Sequence, residues 1–300
     1  MRSAVKDFLH HQPDPRWSGR RVLVGLLLLG GLLLAACQAP RGAAGRIDPA
    51  ANSVDRLAAL RAADRIRIGV RQDAPPFARR IGDLFVGFDV DIAQAVAAEL
   101  GIEQVDFVGV SSDERLPAIT EGRVDLLVAS TTITRSRDAE IDFSQPYFED
   151  GQRLLVAADS PIRSYRDCAG RRIAALRGTT SLANMAVVAP QATLVAMADY
   201  EEAVAALQAG RVDALTSDGL ILAGLANTHG GGLQVVGEHF SSEAYGIGLP
   251  EDESDLRDAV NGALQDLWND GVYQVIRGTW FGQGSAYADV PPFAMSVYGD

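Results

Sequence analysis

Three arginines, Arg71, Arg115 and Arg137, are the residues whose type and spacing point most directly to chemistry. Arg71 ends RIRIGVR, Arg115 lies in SSDERLP after VDFVGV, and Arg137 lies in STTITRSR after VDLLVAS. A guanidinium is a rigid fork of donors that grips a carboxylate through two parallel hydrogen bonds. Taken singly, each arginine fits a solvated surface position. Together they follow the C-terminal ends of three successive strand candidates. Ser130, Thr131 and Thr132 place hydroxyls just ahead of Arg137, and RGTTS at 177–181 adds a Gly-opened turn carrying Thr179 and Thr180. Hydroxyls and main-chain N–H groups at a helix start are good anion donors. Asp218, closing GRVDALTSD, supplies the acceptor that an ammonium group needs. The set describes a site for an amino acid that carries a second carboxylate.

The elements that position these groups are short apolar strands alternating with helical stretches from Arg65 onward. RIRIGV, VDFVGV, VDLLVAS, RLLVAA, RRIAAL, ATLVAM and VDALTS are the strand candidates. Strands interleaved with helices indicate parallel sheets of α/β type. GRVDLLVAS at 122–130 and GRVDALTSD at 210–218 echo each other 88 residues apart, ending in Ser130 and Asp218. RIRIGVR and RRIAALR likewise end in Arg71 and Arg177. Two similar α/β units are one reading, chance the other. In open α/β sheets ligands collect beyond the carboxyl ends of strands. Two facing units would bring Arg71, Ser130, Arg177 and Asp218 towards one cleft.

At the other end of the chain, residues 22–36 form an apolar run preceded by Arg16, Arg20 and Arg21 and followed by Cys37 after Leu-Ala-Ala. A basic region, an apolar core and small residues before a break mark a secretory signal. The pattern resembles a bacterial lipoprotein signal, with Cys37 lipidated as the new first residue; an uncleaved anchor helix is the alternative. Either places the rest of the chain outside the cytoplasm, periplasmic or cell-surface, held to a membrane at one end. Residues 38–52 are small, polar and Pro/Gly-containing, which suits a flexible tether. Ser53 then reads as the N-cap of a helix over 54–63. The whole chain carries a formal net charge of −12, and its leader is basic, so the remainder is more acidic still. That argues against nucleic acid, whose binders carry basic stripes. Lys6 is the lone lysine, and Cys168 alone remains once Cys37 is lipidated, so no intramolecular disulfide is expected. Cys168 reads as a small core residue.

GFDVDIAQAVAAEL at 87–100 resembles the signature of the family 3 extracellular solute-binding proteins, which serve polar amino acid ABC transporters. Its physical content is a helix start, with Asp89 as N-cap, Asp91 in the first turn, and Ile92, Val96 and Leu100 as the buried stripe. The order of further segments extends the match over residues 57–282: GRVDLLVAS, TITRSR, IDFSQPYF, RGTTS, GRVDALTSD, YGIGLP and DGVYQVIRGTWFG. The resemblance implies a two-lobed type II periplasmic-binding-protein-like α/β fold with a two-stranded hinge, each lobe a mainly parallel sheet flanked by helices. Lobe 1 would comprise 57–147 plus 246–282 and lobe 2 148–245, leaving 283–300 as a tail. By the same resemblance Arg137 clamps the ligand α-carboxylate with Ser130 and Thr132, Thr179 and Thr180 add contacts, and Asp218 takes the α-ammonium. Binders of basic amino acids in this family have an acidic residue where this chain has Arg71 and an aromatic where it has Ala74. Glutamine-type relatives carry an aromatic near Ser112. VRQDAPPF with SSDERLP looks like the glutamate/aspartate branch, in which arginines matching Arg71 and Arg115, beside Ser112, hold the side-chain carboxylate. A structural pair with Asp113 or Glu114 is the alternative for Arg115. Tyr200 falls near a pocket position of that branch and is left outside the candidate set.

The mechanism implied is hinged closure, with a permease and its cytoplasmic ATPase as partners, a monomeric binding protein, and no cofactor. IDFSQPYFEDG at 141–151 and SSEAYGIG at 241–248 lead into the two crossovers. A rival is an enzyme on the same fold, resembling the cyclohexadienyl dehydratases, which would need a placed general acid or base. His229 and His239 flank a Gly-rich turn away from the strand ends, and no metal-ligand spacing or nucleophile motif stands out. A second rival is a ligand-loaded partner of a membrane sensor.

Overall fold

In the computed structural model, residues 55–285, 287 and 290–295 are described; the signal, Cys37, Ser53 and most of the tether lie outside them. The first helix among the described residues, α1, spans Arg56–Ala63, starting two residues later than expected. Asp55 caps it, its Oδ1 accepting from the Ala58 N–H at 3.0 Å.

Two five-stranded sheets follow. In lobe 1, β1 (Arg65–Arg71) lies between β5 (Gln104–Val110) and β6 (Leu126–Thr132), both parallel to it. Beyond β6 come β13 (Glu243–Leu249) and β7 (Asp142–Asp150), giving the order β5-β1-β6-β13-β7. In lobe 2, β9 (Arg172–Leu176) lies between β10 (Thr193–Met197) and β11 (Ala214–Asp218), again parallel. It is completed by β8 (Gln152–Ala157) and β12 (Leu233–Val236), in the order β10-β9-β11-β8-β12. Each sheet is therefore mixed: three adjacent strands pair in parallel, the fourth (β13 or β8) is reversed, and the outermost (β7 or β12) returns to the common direction. A small antiparallel sheet of β2 (Asp73–Ala74), β3 (Ala78–Ile81) and β4 (Leu84–Val86) sits beside lobe 1.

The repeated Gly-Arg-Val-Asp segment has a structural cause. Asp125 ahead of β6 accepts from the Arg67 main-chain N–H and from its guanidinium, which also reaches the Gly122 carbonyl. Asp213 ahead of β11 does the same with Arg172 and the Gly210 carbonyl. In both lobes a carboxylate thus ties the start of one strand to its parallel neighbour.

Helix α2 (Phe88–Glu99) buries Ile92 and Val96, with Leu100 buried at its C-cap. Its N-cap is Gly87, not Asp89, and it offers no side-chain cap. A Cβ at Gly87, where φ is +152°, would lie 2.0 Å from the Phe77 carbonyl oxygen, so the chain can pass there only without a side chain. Asp89 lies inside the first turn, buried. It accepts from Ser130 Oγ at 2.7 Å and the Tyr147 hydroxyl at 2.9 Å. Burial pushes its carboxyl up to about 6 despite those bonds.

The remaining α-helices among the described residues are α3 (Arg115–Thr120), α4 (Ser181–Val188), α5 (Tyr200–Gln208), α6 (Gly219–His229), α7 (Ser254–Asn269) and α8 (Val272–Phe281). Cys168 is fully buried, its thiol pushed up to about 11 by burial, as suits an inert core residue. The chain past α8 packs back on lobe 1. Arg277 donates to the Pro291 carbonyl, Met295 is buried, and the Phe293 ring lies 5.9–6.2 Å from those of Tyr273, Trp268 and Phe148. Phe293→Ala is expected to lower stability by about 2 kcal/mol in urea melts, less than the ~3–5 kcal/mol of a fully enclosed ring. An unchanged melt would mean that this segment is dispensable for the fold.

The chain crosses between lobes at Gly151, between β7 and β8, and again ahead of β13. These crossings are neighbours, because Asp150 on β7 pairs with Glu243 on β13. A Cβ at Gly151 would lie 2.6 Å from the Ser241 carbonyl oxygen.

Candidate functional site

Eight of the nine substrate-binding candidates line one cavity between the lobes: Arg71, Arg115, Ser130, Thr132, Arg137, Thr179, Thr180 and Asp218. The ninth, Ser112, is buried behind Arg115, whose Nε donates to the Ser112 carbonyl at 3.2 Å. Its Oγ has no hydrogen-bond partner among the described residues. Tyr200, Ser217, Ser181 and Ile221 also line the cavity. Tyr200 was within reach of the sequence signal. Ser181 closes RGTTS and Ser217 lies in GRVDALTSD, two segments singled out for their neighbours, whereas Ile221 is an apolar wall outside any motif.

Arg71 is only 1 % exposed at the end of β1. Its Nη2 and Nε reach Asp73 Oδ1 at 2.6 and 3.1 Å, and its guanidinium lies 5.4 Å from the centre of the Tyr200 ring. Burial opposes its charged form, but Asp73, Tyr200 and Asp218 together outweigh that, and the pKa is raised. Arg115, 2 % exposed, opens α3 and does not pair with Asp113 or Glu114. Its Nη1 donates to the Ala129 and Ser130 carbonyls at 3.0 Å each, and its Nη2 to the Gly178 carbonyl at 3.1 Å. Ser130 itself adopts φ +46°, the left-handed region, at this turn of β6. Burial, then Arg137 and Arg71, pull the pKa of Arg115 down to about 9. Arg137 donates through Nη1 to the Thr132 carbonyl and through Nη2 to the Gly178 carbonyl, both at 2.8 Å. Arg177, expected to face the cleft, instead stands half-exposed at the rim, 3.7 Å from Asp113.

Three guanidiniums thus gather at one side of the cavity, with Asp218 within their field. Asp218 ends β11 and accepts from the Tyr245 hydroxyl at 2.5 Å. Burial and Glu243 hold its carboxyl above the usual range, and Asp150, buried beside it, is raised for the same kind of reason. Thr179 Oγ1 donates to the Leu176 carbonyl, while Thr132 and Thr180 both donate to Glu243. Glu243 lies in SSEAYGIG, which the sequence marks as a crossover and not as part of the site. His239 lies 3.6 Å from Asp150 at the hinge, and neither it nor His229 lines the cavity.

The lobes meet closely. Arg115 and Arg137 of lobe 1 share the Gly178 carbonyl of lobe 2, and the Tyr200 N–H donates to Asp73 Oδ2 at 3.3 Å. The space they enclose accommodates about one water molecule. A larger guest therefore requires the lobes to part.

The family described as bacterial extracellular solute-binding proteins, family 3, matches residues 66–283. The chain is similar to the ABC transporter glutamine-binding protein GlnH of Bacillus subtilis (strain 168), 37 % identical over 265 residues, 86 % of this chain and 96 % of that protein. It is similar too to the glutamate-binding protein GluB of Corynebacterium efficiens, 31 % identical over 82 % of this chain and 85 % of that protein. Among solved structures, an ancestral arginine-binding protein bound to glutamine superposes with a TM-score of 0.70 at 34 % identity, covering 73 % of this chain and 99 % of that one.

Proposed function

Because the chain belongs to the family 3 bacterial extracellular solute-binding proteins, as the amino acid-binding component of an ABC transporter, we propose that its ligand is acidic, glutamate or aspartate. One observation carries this reading: Arg71 and Arg115 are buried and line the same cavity as Arg137. In this reading Arg137 holds the α-carboxylate and Asp218 the α-ammonium. Arg71 and Arg115 meet the distal carboxylate, with the Ser112 hydroxyl behind them. Closure of lobe 2 then brings in Thr179 and Thr180, and the closed form is the shape a permease recognises. Cys37 anchors the protein, as a monomer, to the outer face of the membrane.

Leaving a buried guanidinium without its carboxylate costs ~3–5 kcal/mol, so glutamine in place of glutamate should bind roughly a hundredfold or more weaker. Arg71→Ala is expected to weaken glutamate binding and to shrink that ratio, read by calorimetry with both ligands. Unchanged selectivity would remove Arg71 from the distal subsite. A second reading, glutamine, is favoured by the Arg71–Asp73 ion pair, which already balances one of the two charges, and by the similarity to a glutamine-binding protein. Tighter binding of glutamine by the unaltered protein would select it.

A further inference from the structure

Four cleft hydroxyls send their protons away from the cleft. Ser130 Oγ donates to Asp89 Oδ2 at 2.7 Å, and Thr179 Oγ1 to the Leu176 carbonyl at 2.8 Å. Thr132 Oγ1 and Thr180 Oγ1 both donate to Glu243 Oε2, at 2.7 and 2.8 Å. A hydroxyl has one proton and two lone pairs. Once the proton is given to a buried carboxylate, the hydroxyl can offer a guest only lone pairs. The expectation that these hydroxyls act as anion donors is therefore reversed. Of the side chains that the resemblance assigns to the α-carboxylate (Arg137, Ser130 and Thr132), only the Arg137 guanidinium is left as a donor.

Glu243 holds the arrangement together. It is 1 % exposed, at the start of β13 beside the crossover, and is not part of the cavity lining. Its other oxygen, Oε1, accepts from Asn184 Nδ2 at 2.9 Å and from Ser241 Oγ at 2.7 Å. Four donors therefore converge on one carboxylate, from lobe 1 (Thr132), lobe 2 (Thr180, Asn184) and the crossover (Ser241). Thr180 also accepts from Gln152 Nε2 at 2.8 Å, which fits a hydroxyl whose proton is already committed.

We propose that Glu243 is a positioning residue that turns the Thr132 and Thr180 hydroxyls into acceptors, making with Asp218 an all-acceptor pole for the ligand's ammonium group. A carboxylate at that pole would meet lone pairs and Asp218. The inference rests on the amino acid reading of the cleft and is independent of which side chain the ligand carries. Glu243 therefore sets the direction in which any α-amino acid lies.

The test compares an amino acid with its analogue bearing hydrogen in place of the α-amino group: glutarate for glutamate, glutaramate for glutamine, with the pair chosen by the larger thermal shift. Affinities are measured calorimetrically for the unaltered protein, Glu243→Ala and Thr132→Val. In both variants the amino acid should lose about tenfold or more, while the analogue changes by less than about threefold, because the lost acceptors face only the ammonium. Equal losses for amino acid and analogue would reduce Glu243 to a structural prop and overturn the proposal. Should Glu243→Ala fail to fold, Thr132→Val, which keeps the side-chain shape, still decides the polarity of that hydroxyl. A preference for glutamine over glutamate would overturn the acidic-ligand reading and leave this ratio intact.

Discussion

Arg137→Ala is expected to remove amino acid binding almost entirely, for every side chain alike. Arg137 is half-buried, follows β6, and aims both Nη groups at carbonyls that frame the cavity. In the proposed complex it is the fork that pairs with the α-carboxylate, the group common to all candidate ligands. Removing one partner from a desolvated charge pair costs ~3–5 kcal/mol, between about a hundredfold and a few thousandfold in affinity. Arg137→Lys should recover only part of this, because an ammonium keeps the charge but not the paired donors. The effect differs in kind from that of Arg71→Ala, which should change selectivity more than overall affinity. Calorimetry with glutamate and glutamine separates the two. Wild-type affinity in Arg137→Ala would place the α-carboxylate elsewhere.

The arginine cluster was legible because strand period and parallel crossovers together force the ends of β1, β5 and β6 to one sheet edge. The echo between 122–130 and 210–218 was legible for a related reason: Asp125 and Asp213 perform the same local task on Arg67 and Arg172. What stayed hidden depended on partners distant in the chain. Asp89 obeys a helix-start pattern, yet its acceptors are taken by Ser130 and Tyr147, 41 and 58 residues away. Arg115 has acidic neighbours, but burial turns it to carbonyls on β6 and across the cleft at Gly178. Strands β7 and β13 carry a proline and two glycines where a strand pattern calls for apolar alternation. A Cβ at Gly246 or Gly248 would lie 2.9 Å from the Cδ1 of Ile133 or Ile141, so those side chains pack directly against the bare backbone of β13 and would have to shift to admit one. Glu243 sits at the end of such a strand, in a segment marked only as a crossover, so its four donors emerge only from the fold.

Gly178→Ala should separate docking from closure. Gly178 has φ +72°, where any other residue is strained, at a cost of roughly 1–3 kcal/mol. The larger effect is steric and lies across the cleft. A Cβ there would stand 2.5 Å from the Ser112 carbonyl oxygen and 2.6 Å from Asp113 Cα, both main-chain atoms of the opposite lobe. A second close approach exists at Gly224 on α6, whose Cβ would lie 2.1 Å from the Pro75 carbonyl oxygen. Neither backbone can yield as a flexible side chain would, so a methyl group at either glycine wedges the lobes apart. The variant also moves the Gly178 carbonyl away from Arg115 and Arg137, weakening the bonds that join the lobes. Ligand should still dock on lobe 1, with an affinity reduced by the contacts lobe 2 no longer supplies. In small-angle scattering the unaltered protein should contract on saturation with ligand, whereas Gly178→Ala and Gly224→Ala should contract less or not at all. Transport through the permease should fall further than binding does if, as proposed, the permease reads the closed shape. Full contraction and unchanged affinity in both variants would mean that the lobes do not meet at these two points when ligand is bound, and the hinge-closure account would fail with them.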